Sequence, residues 1–220
     1  MIKLAVFDLD GTLLDTVPDL TAAMNFALRQ MNKPEITIDQ ARAFIGNGIK
    51  MFAKRAISGS YETDTGDDLA DEAVSYFKSY YSKHLTDHTT PYDGIAELIS
   101  KLRKSGVKTA VFSNKYDAAT KHIIEYFFPG MFDAVLGESD ICPRKPDPAG
   151  FLEICKMLGC EPSDAVMTGD SPTDINAAKN ANARFVSVLW GYRSREVLTE
   201  AGAEALAADA GELYDIIMSI

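Results

Sequence analysis

The sequence predicts an α/β fold, in which a doubly wound parallel sheet carries a small all-helical cap domain inserted after its first strand. Five short apolar runs are each bounded by small or polar residues, as buried strands are. Helical patterns alternate with these runs along most of the chain, which is typical of a parallel sheet with helices on both faces. Residues 16–90 are the exception, because they show helical periodicity and no apparent strand.

The predicted strands cover residues 3–7, 108–112, 134–136, 165–168 and 185–189. Most of them are apolar at consecutive positions and do not alternate, which is typical of parallel strands covered on both faces. Between them, apolar residues recur at helical spacing before Gly106 and again before Gly159. Asp147-Pro148 and Ser171-Pro172 each resemble a helix N-cap followed by proline at the first helical position. These patterns predict alternating strands and helices.

The stretch from residue 16 to residue 90 reads as a block of helices. Leu20, Met24 and Leu28 lie on one helical stripe, and Thr37 with Gln40 fits a capping box that opens a second helix. Two further apolar stripes follow, so this stretch predicts about four helices. We therefore predict an α/β core formed by residues 1–15 and 91–220, and a helical cap formed by residues 16–90.

Composition excludes several classes of protein. The chain has 220 residues, of which 46% are hydrophobic and 25% are charged, so it can bury a core without disulfides. Its net charge of −10 disfavours nucleic acid and anionic membranes as partners. No stretch has the length of a membrane span, and the apolar run before Asp8 is too short for a signal peptide. We expect a cytoplasmic monomer or homodimer with reduced cysteines.

Acidic residues follow two of the predicted strands. Asp8 and Asp10 come directly after the first strand, and Gly11 lets the chain turn sharply there. Asp170 and Asp174 follow the fourth predicted strand. Ligands of open parallel sheets bind beyond the carboxyl ends of the strands, so these four carboxylates should converge. Such a cluster needs a cation, and carboxylate oxygens are the ligands that Mg²⁺ takes.

Groups that can hold a phosphate follow other strands. The second strand is followed by Ser113 and Asn114, whose hydroxyl and amide groups can bond phosphate oxygens. Lys145 precedes Pro146 and Pro148, which stiffen its loop and fix the direction of the lysine. A fixed ammonium beside the acids would offset their charge and bind a phosphoryl group in transfer. We therefore predict a phosphate site beside the metal site.

These segments, taken in order, resemble the haloacid dehalogenase-type phosphohydrolases. The family pattern is a nucleophile loop with two acids and a threonine, a Ser or Thr after the second strand, a lone lysine and a late acidic pair. Here the matching residues are Asp8, Asp10, Thr12, Ser113, Lys145, Asp170 and Asp174. The resemblance covers essentially the whole chain and implies a Rossmann-like core with a helical cap. Within the family, the sequence most resembles the phosphoglycolate phosphatases, through segments such as Gly46-Asn47-Gly48 and Gly191-Tyr192-Arg193.

The resemblance implies a role for each matching residue. Asp8 would be the nucleophile, and Asp10 would be the general acid and base. Asp8, the Asp10 backbone carbonyl and Asp170 would bind Mg²⁺, with Asp174 in support. The remaining implied roles are phosphate binding by Ser113, Asn114 and Lys145, orientation of the loop by Thr12, and substrate specificity set in the cap by Asn47, Gly48 and Lys50.

The predicted reaction is hydrolysis of a small phosphomonoester, with 2-phosphoglycolate as the first candidate. Three alternatives share the fold, namely a sugar-phosphate phosphatase, a pyrophosphatase and a phosphomutase. A mutase would need a second phosphate cradle, and none is evident in the sequence. A signalling module that is switched by phosphorylation of Asp8 is a further alternative. Such a module would not need a long insertion after the nucleophile strand, which favours a lidded active site.

Overall fold

A computed structural model describes residues 1–220, which form two compact units. The first unit contains Met1–Asp15 and Pro91–Ile220, and the second contains Thr16–Thr90. The strands are β1 (Leu4–Phe7), β2 (Leu14–Asp15), β3 (Thr90–Pro91), β4 (Lys108–Tyr116), β5 (Ala134–Glu138), β6 (Ala165–Gly169), β7 (Arg184–Val188) and β8 (Leu206–Ala207). The helices are α1 (Val17–Gln30), α2 (Ile38–Phe44), α3 (Ile49–Ser58), α4 (Asp67–Tyr81), α5 (Ile95–Lys104), α6 (Asp117–Phe127), α7 (Ala149–Met157), α8 (Pro172–Asn180), α9 (Arg195–Glu200) and α10 (Ala210–Ser219).

The first unit is built on a six-stranded sheet with the order β5-β4-β1-β6-β7-β8, and all of its pairings are parallel. The chain passes from β1 to β4 and β5 on one side, and then returns to β6, β7 and β8 on the other. This doubly wound order confirms the predicted fold class. The direction of winding reverses at β1, so a crevice for ligands is expected at the carboxyl ends of β1 and its two neighbours.

Burial explains the consecutive apolar patterns in the strands. Every residue of β1 and of β6 is buried, because helices cover both faces of the central sheet. On one face, Phe151 and Ile154 of α7 pack with Phe112 and Met167 in a continuous cluster. The three cysteines, Cys142, Cys155 and Cys160, are free thiols. The core is therefore apolar and needs no disulfide.

Several element boundaries differ from the sequence prediction, and two of the differences lie in segments that carry site residues. Strand β4 continues to Tyr116, beyond the predicted end at residue 112, but its register with β5 shifts between Phe112 and Tyr116. Helix α7 begins at Ala149, and the Asp147 carboxylate accepts a hydrogen bond from the Ala149 N–H at 2.8 Å. Strand β8 was not predicted, because two residues are too few to show a periodic pattern.

The second unit contains α1 to α4, so the number of predicted helices is confirmed. Thr37 and Gln40 form the predicted capping box at the start of α2. Asp19 is buried near the start of α1, and its carboxylate accepts hydrogen bonds from the backbone N–H groups of His88 and Thr89. These hydrogen bonds connect the beginning of the second unit to its end. No helix of the protein combines the length and the apolar character that crossing a membrane requires.

Candidate active site

Asp8 lies at the carboxyl end of β1, where the parallel pairing with β6 ends. Its backbone N–H donates to the Thr168 carbonyl at 2.8 Å, which fixes the start of the loop. One carboxylate oxygen accepts a hydrogen bond from the Leu9 N–H at 2.7 Å and contacts the Lys145 ammonium at 2.7 Å. Asp8 is only 8% exposed. The position combines a buried carboxylate with a fixed counter-charge.

The loop after Asp8 turns back sharply at Gly11. Its φ of 84° is a left-handed conformation that glycine adopts without strain. A Cβ atom at Gly11 would also overlap the carboxylate of Asp170. The turn leaves Asp10 beside a second ammonium, since Lys115 Nζ lies 3.1 Å from Asp10 Oδ1. Glycine is therefore needed here both for the turn and for close packing against the second acidic loop.

Lys145 is the central cation of the site. Its Nζ contacts Asp8 Oδ1 at 2.7 Å and Asp174 Oδ1 at 2.6 Å, and its side chain is 1% exposed. The Asn114 side chain holds the backbone of Lys145 at both polar groups. Its Oδ1 accepts from the Lys145 N–H at 2.7 Å, and its Nδ2 donates to the Lys145 carbonyl at 3.1 Å. Asn114 thus fixes the loop that delivers the ammonium.

The late acidic pair follows β6. Asp174 closes a capping box at the start of α8, because its Oδ2 accepts hydrogen bonds from the N–H and the hydroxyl of Ser171 at 3.1 and 2.5 Å. Asp170 Oδ2 accepts from the Tyr192 backbone N–H at 2.6 Å. Both carboxylates are buried. The N-cap at Ser171 was predicted from the sequence, and the capping box leaves the other oxygen of Asp174 to pair with Lys145.

Burial and mutual repulsion perturb the pKa values of these groups. Burial raises the pKa of Asp8 well above its usual value; Lys145 opposes this increase, whereas Asp174 and Asp170 add to it. Burial and the neighbouring Asp174 raise the pKa of Asp170 to about 7. Burial alone would lower the pKa of Lys145, but the carboxylates of Asp174 and Asp8 raise it by more. The raised pKa values mean that Asp8 and Asp170 hold protons more tightly than usual unless further positive charge is present.

The donor atoms fit a divalent metal ion. The ligand oxygens of Asp8, Asp170 and Asp174 all lie within 4.8 Å of one another. Carboxylate oxygens in such a cluster are the hard donors that Mg²⁺ requires. The raised pKa of Asp170 also indicates a place where a cation would be favourable. The carboxylates of Asp8, Asp170 and Asp174 are therefore suited to bind Mg²⁺.

The structure brings most of the predicted site residues together at the ends of adjacent strands. Ser113 is buried, and its hydroxyl accepts a hydrogen bond from the Lys115 N–H at 3.2 Å. The buried Thr12 hydroxyl has no hydrogen-bond partner. The predicted nucleophile, metal and phosphate residues all belong to the first unit, namely Asp8, Asp10, Thr12, Ser113, Asn114, Lys145, Asp170 and Asp174.

The three predicted cap residues lie in the second unit. Asn47 Oδ1 accepts a hydrogen bond from Arg55 at 3.0 Å, and Gly48 has a φ of 82° at the start of α3. The Lys50 ammonium pairs with Asp67 at 3.3 Å and with Asp71 at 2.9 Å. The specificity role of these residues stays a prediction.

Sequence reasoning did not assign Lys115, Trp190 or Tyr192 to the site. Lys115 contacts Asp10, the Trp190 indole donates to the Thr12 carbonyl at 3.0 Å, and the Tyr192 N–H donates to Asp170. Lys115 follows Asn114 directly, so its place after a strand was one available clue. The contact of Tyr192 involves only its backbone, so the identity of its side chain gives no indication of it.

Several known proteins are similar to this chain in sequence. A sequence profile described as haloacid dehalogenase-like hydrolase matches residues 5–188. Phosphoglycolate phosphatase 1 of Pseudomonas aeruginosa is 36% identical over 200 residues, which are 90% of this chain and 73% of that protein. Phosphoglycolate phosphatase of Psychrobacter arcticus is 34% identical over 220 residues, which are 98% of this chain and 96% of that protein.

Solved structures show the same architecture. A crystal structure from Lactobacillus delbrueckii subsp. bulgaricus superposes with a TM-score of 0.91 at 35% identity and covers 98% of both chains. A predicted phosphoglycolate phosphatase from Haemophilus somnus has a TM-score of 0.87 at 29% identity, covering 98% of this chain and 97% of that one. The resemblance inferred from the sequence is confirmed. The profile match over most of the length, with these relatives, shows that the chain belongs to the haloacid dehalogenase-like hydrolase family.

Proposed function

We propose that this enzyme hydrolyses a small phosphomonoester, with 2-phosphoglycolate as its substrate, through a phosphorylated Asp8 and with the help of Mg²⁺. The chain is a phosphoric monoester hydrolase, as its relatives are by name. The observation that carries the mechanism is the buried Asp8 carboxylate, which the Lys145 ammonium contacts while Asp10 follows two residues later. One crevice thus contains the nucleophile Asp8, the phosphate-binding cation Lys145 and the proton carrier Asp10.

In the first step, an oxygen of the Asp8 carboxylate forms a bond to phosphorus. The bond from phosphorus to the ester oxygen breaks, and its electron pair stays on that oxygen. Asp10 then gives its proton to the leaving oxygen, so the alcohol departs without charge. Lys145 supports this step, because its buried ammonium offsets the charge of the carboxylate that approaches an anionic ester.

In the second step, water replaces Asp8 on phosphorus. Asp10 is now a carboxylate and takes a proton from the attacking water. The bond between phosphorus and the Asp8 oxygen breaks, which releases phosphate and restores both acids. Asp10 is suited to both duties because it is 24% exposed at its side chain, whereas Asp174 is fully buried. Access to solvent supports Asp10 as the proton carrier.

The phosphoryl oxygens need donors and positive charge. We assign the binding of the phosphoryl oxygens to the Ser113 hydroxyl and the Lys145 ammonium. Asn114 holds the backbone of Lys145. Asp8, the Asp10 carbonyl and Asp170 would hold Mg²⁺, with Asp174 in support. When bound, the ion supplies positive charge that offsets the negative charge of the phosphoryl oxygens during transfer. A direct contact between Asn114 and phosphate stays a prediction.

Two observations support 2-phosphoglycolate as the substrate. Several bacterial relatives at 29–36% identity carry the name phosphoglycolate phosphatase. In addition, the Lys115 ammonium lies 3.1 Å from Asp10 Oδ1, next to the acid that serves the leaving oxygen. A leaving group with a carboxylate on the carbon beside its oxygen would place a negative charge close to this lysine. A neutral sugar or phenol would not offer such a pairing.

The test is a phosphate-release assay with Mg²⁺ on a panel of esters. The panel contains 2-phosphoglycolate, sugar phosphates, nucleotides and pyrophosphate, together with p-nitrophenyl phosphate as an ester with a neutral leaving group. We expect kcat/KM to be highest for 2-phosphoglycolate by a factor of about 100, the range that a charged hydrogen bond supplies. A sugar phosphate or pyrophosphate as the best substrate would reject the assignment but leave the phosphatase in place. Isomerised sugar phosphate without free phosphate would indicate a mutase instead.

Lys115→Met tests the substrate contact directly. The variant should raise KM for 2-phosphoglycolate by about 10-fold to 100-fold and change KM for p-nitrophenyl phosphate much less. The matched control is Lys101→Met, which removes an exposed ammonium on α5 and should leave both values unchanged. Equal effects of Lys115→Met on both esters would show that Lys115 does not select the leaving group.

A further inference from the structure

We propose that residues 189–193, which follow β7, form a brace that positions the two acidic loops of the metal site, with the Trp190 indole as its anchor. The inference rests on the proposed function in one respect, namely that Asp8 and Asp170 bind Mg²⁺. The brace itself contributes none of the acidic side chains. It acts through contacts to the loop after β1 and to the loop after β6.

The first contact holds the nucleophile loop. Trp190 Nε1 donates a hydrogen bond to the Thr12 backbone carbonyl at 3.0 Å. Thr12 is completely buried and follows Gly11, the residue at which the loop turns back. Fixing this carbonyl fixes the far side of the turn that carries Asp8 and Asp10. The contact spans 178 residues of sequence, so it can form only in the folded unit.

The second contact holds the late acidic loop. The Tyr192 backbone N–H donates to Asp170 Oδ2 at 2.6 Å, two residues after the contact made by Trp190. Since Asp170 is predicted to be a metal ligand, the bond fixes one oxygen of its carboxylate. Trp190 and Tyr192, two residues apart in one segment, thus hold both halves of the site.

Between these two contacts, Gly191 packs directly against both loops. A Cβ atom at position 191 would overlap the Asp170 side chain and lie 2.5 Å from the Gly11 carbonyl oxygen. No side chain can be added there unless one of the loops moves. Residues 190, 191 and 192 therefore touch the two loops in succession. Such close packing is how a supporting segment fixes ligands that it does not itself provide.

The brace is needed because the sheet fixes only the start of the loop after β1, through the hydrogen bond from the Asp8 N–H to the Thr168 carbonyl. Strands β1 and β6 pair up to Phe7 and Thr168, and Asp8 and Asp170 lie beyond that register. The separation of the two carboxylates then depends on contacts between the loops themselves. A displacement of about 1 Å in such a site can lower the rate by about 100-fold.

The alternative is that Trp190 only fills space, since its ring also lies 6.4 Å from the Tyr92 ring. Two substitutions separate these roles. Both Trp190→His and Trp190→Phe replace the indole by a smaller ring and so lose part of its packing. The imidazole can still present an N–H at the position of the indole nitrogen, whereas the phenyl ring cannot. A difference between these variants therefore reports the hydrogen bond to Thr12 and not the lost packing.

The experiment measures the binding of Mg²⁺ alone by isothermal titration calorimetry at pH 8, together with kcat and KM for 2-phosphoglycolate. We expect Trp190→Phe to weaken Mg²⁺ binding and to lower kcat, each by about 10-fold, with Trp190→His restoring part of both. Gly191→Ala should weaken Mg²⁺ binding at least as much as Trp190→Phe does. The control is Tyr214→Phe, which removes the hydrogen bond between the Tyr214 and Ser105 hydroxyl groups and should change only the melting temperature.

Each outcome decides between the hypotheses. Wild-type Mg²⁺ affinity in Trp190→Phe and in Gly191→Ala, with only a lower melting temperature, would overturn the brace. Equal losses in Trp190→Phe and Trp190→His would overturn the role of the hydrogen bond and leave only packing. Absence of Mg²⁺ binding in the wild-type chain would instead reject the metal site of the proposed function.

Discussion

Replacing Asp170 by Asn should stabilise the metal-free protein and at the same time abolish its response to Mg²⁺. Asp170 is 2% exposed, and burial together with Asp174 raises its pKa to about 7 from an ordinary value of 3.8. At pH 8 Asp170 is therefore ionised in the native state, at a buried position that disfavours the negative charge relative to water. Asparagine has nearly the same shape, and its amide oxygen can still accept from the Tyr192 N–H.

The size of the effect follows from the shift in pKa. Each pKa unit corresponds to about 1.4 kcal/mol, so the shift of Asp170 sets an upper bound of about 4 kcal/mol for the gain at pH 8. The new amide N–H group must find a partner in the buried site, which offsets part of the gain. We therefore expect about 2 kcal/mol, or an increase of about 4–8 °C in the melting temperature for a chain of this length.

The dependence on pH gives the sign of the effect. The native state binds the Asp170 proton more tightly than the unfolded state does, so this group stabilises the wild-type fold at low pH. That contribution is lost as the pH rises from about 4 to about 7. The variant lacks this titration. The difference in stability between variant and wild type should therefore grow from pH 5 to pH 8.

Thermal unfolding in EDTA, followed by circular dichroism at pH 5, 6.5 and 8, measures these differences. Adding Mg²⁺ at pH 8 should raise the melting temperature of the wild type and leave that of Asp170→Asn nearly unchanged. Asp215→Asn, at an exposed position of α10, is the control for loss of an acidic charge. The reasoning would be refuted if Asp170→Asn were less stable than the wild type at pH 8 in EDTA, or if the difference did not depend on pH.

Three further changes test the remaining parts of the site and of the cap. Asp8→Asn should abolish phosphate release while leaving the far-ultraviolet circular dichroism unchanged, and substantial residual turnover would remove Asp8 from the nucleophile role. Asp10→Asn should lower kcat by about 100-fold or more and allow phosphate to accumulate on Asp8, detectable by intact-mass spectrometry after an acid quench. Arg55 is buried in the cap and donates to the Phe44 carbonyl at 2.9 Å and to Asn47 at 3.0 Å, so Arg55→Ala should destabilise the protein by about 2–4 kcal/mol in urea unfolding. Arg55→Lys should recover only part of that loss, because an ammonium cannot reach both acceptors in the planar geometry of the guanidinium, and full recovery would contradict this account.

The prediction of the fold succeeded where the local pattern was strong. Strands β1 and β6 are buried along their whole length and show uninterrupted apolar runs, so they were identified with nearly correct ends. Strand β4 was cut short at residue 112, because Ser113 and Asn114 look like loop residues. In the structure the chain stays extended there while its register with β5 shifts. Local composition cannot report such an irregularity, which depends on the neighbouring strand.

The acids of the site could be predicted because their type and their place after strands are both visible in the sequence. The carboxyl ends of parallel strands meet at one edge, so Asp8 and Asp170 had to approach each other if the strands were adjacent. The sequence also predicted the Lys145 ammonium beside these acids, but it did not show which carboxylates each lysine contacts. Lys145 as a common partner of Asp8 and Asp174, and Lys115 as the partner of Asp10, depend on where two loops lie after folding.

The fold class, the inserted helical stretch and the family could be inferred from the sequence, because these depend on periodicity and on the order of motifs along the chain. The sequence also indicated which acidic and basic side chains follow the predicted strands. The groups that hold those side chains in place became visible only in the folded protein. The bond from Trp190 to Thr12 and the close approach of Gly191 to Asp170 join segments that are far apart in sequence. Such contacts depend on packing and loop geometry, and a linear pattern of residues does not specify either of them.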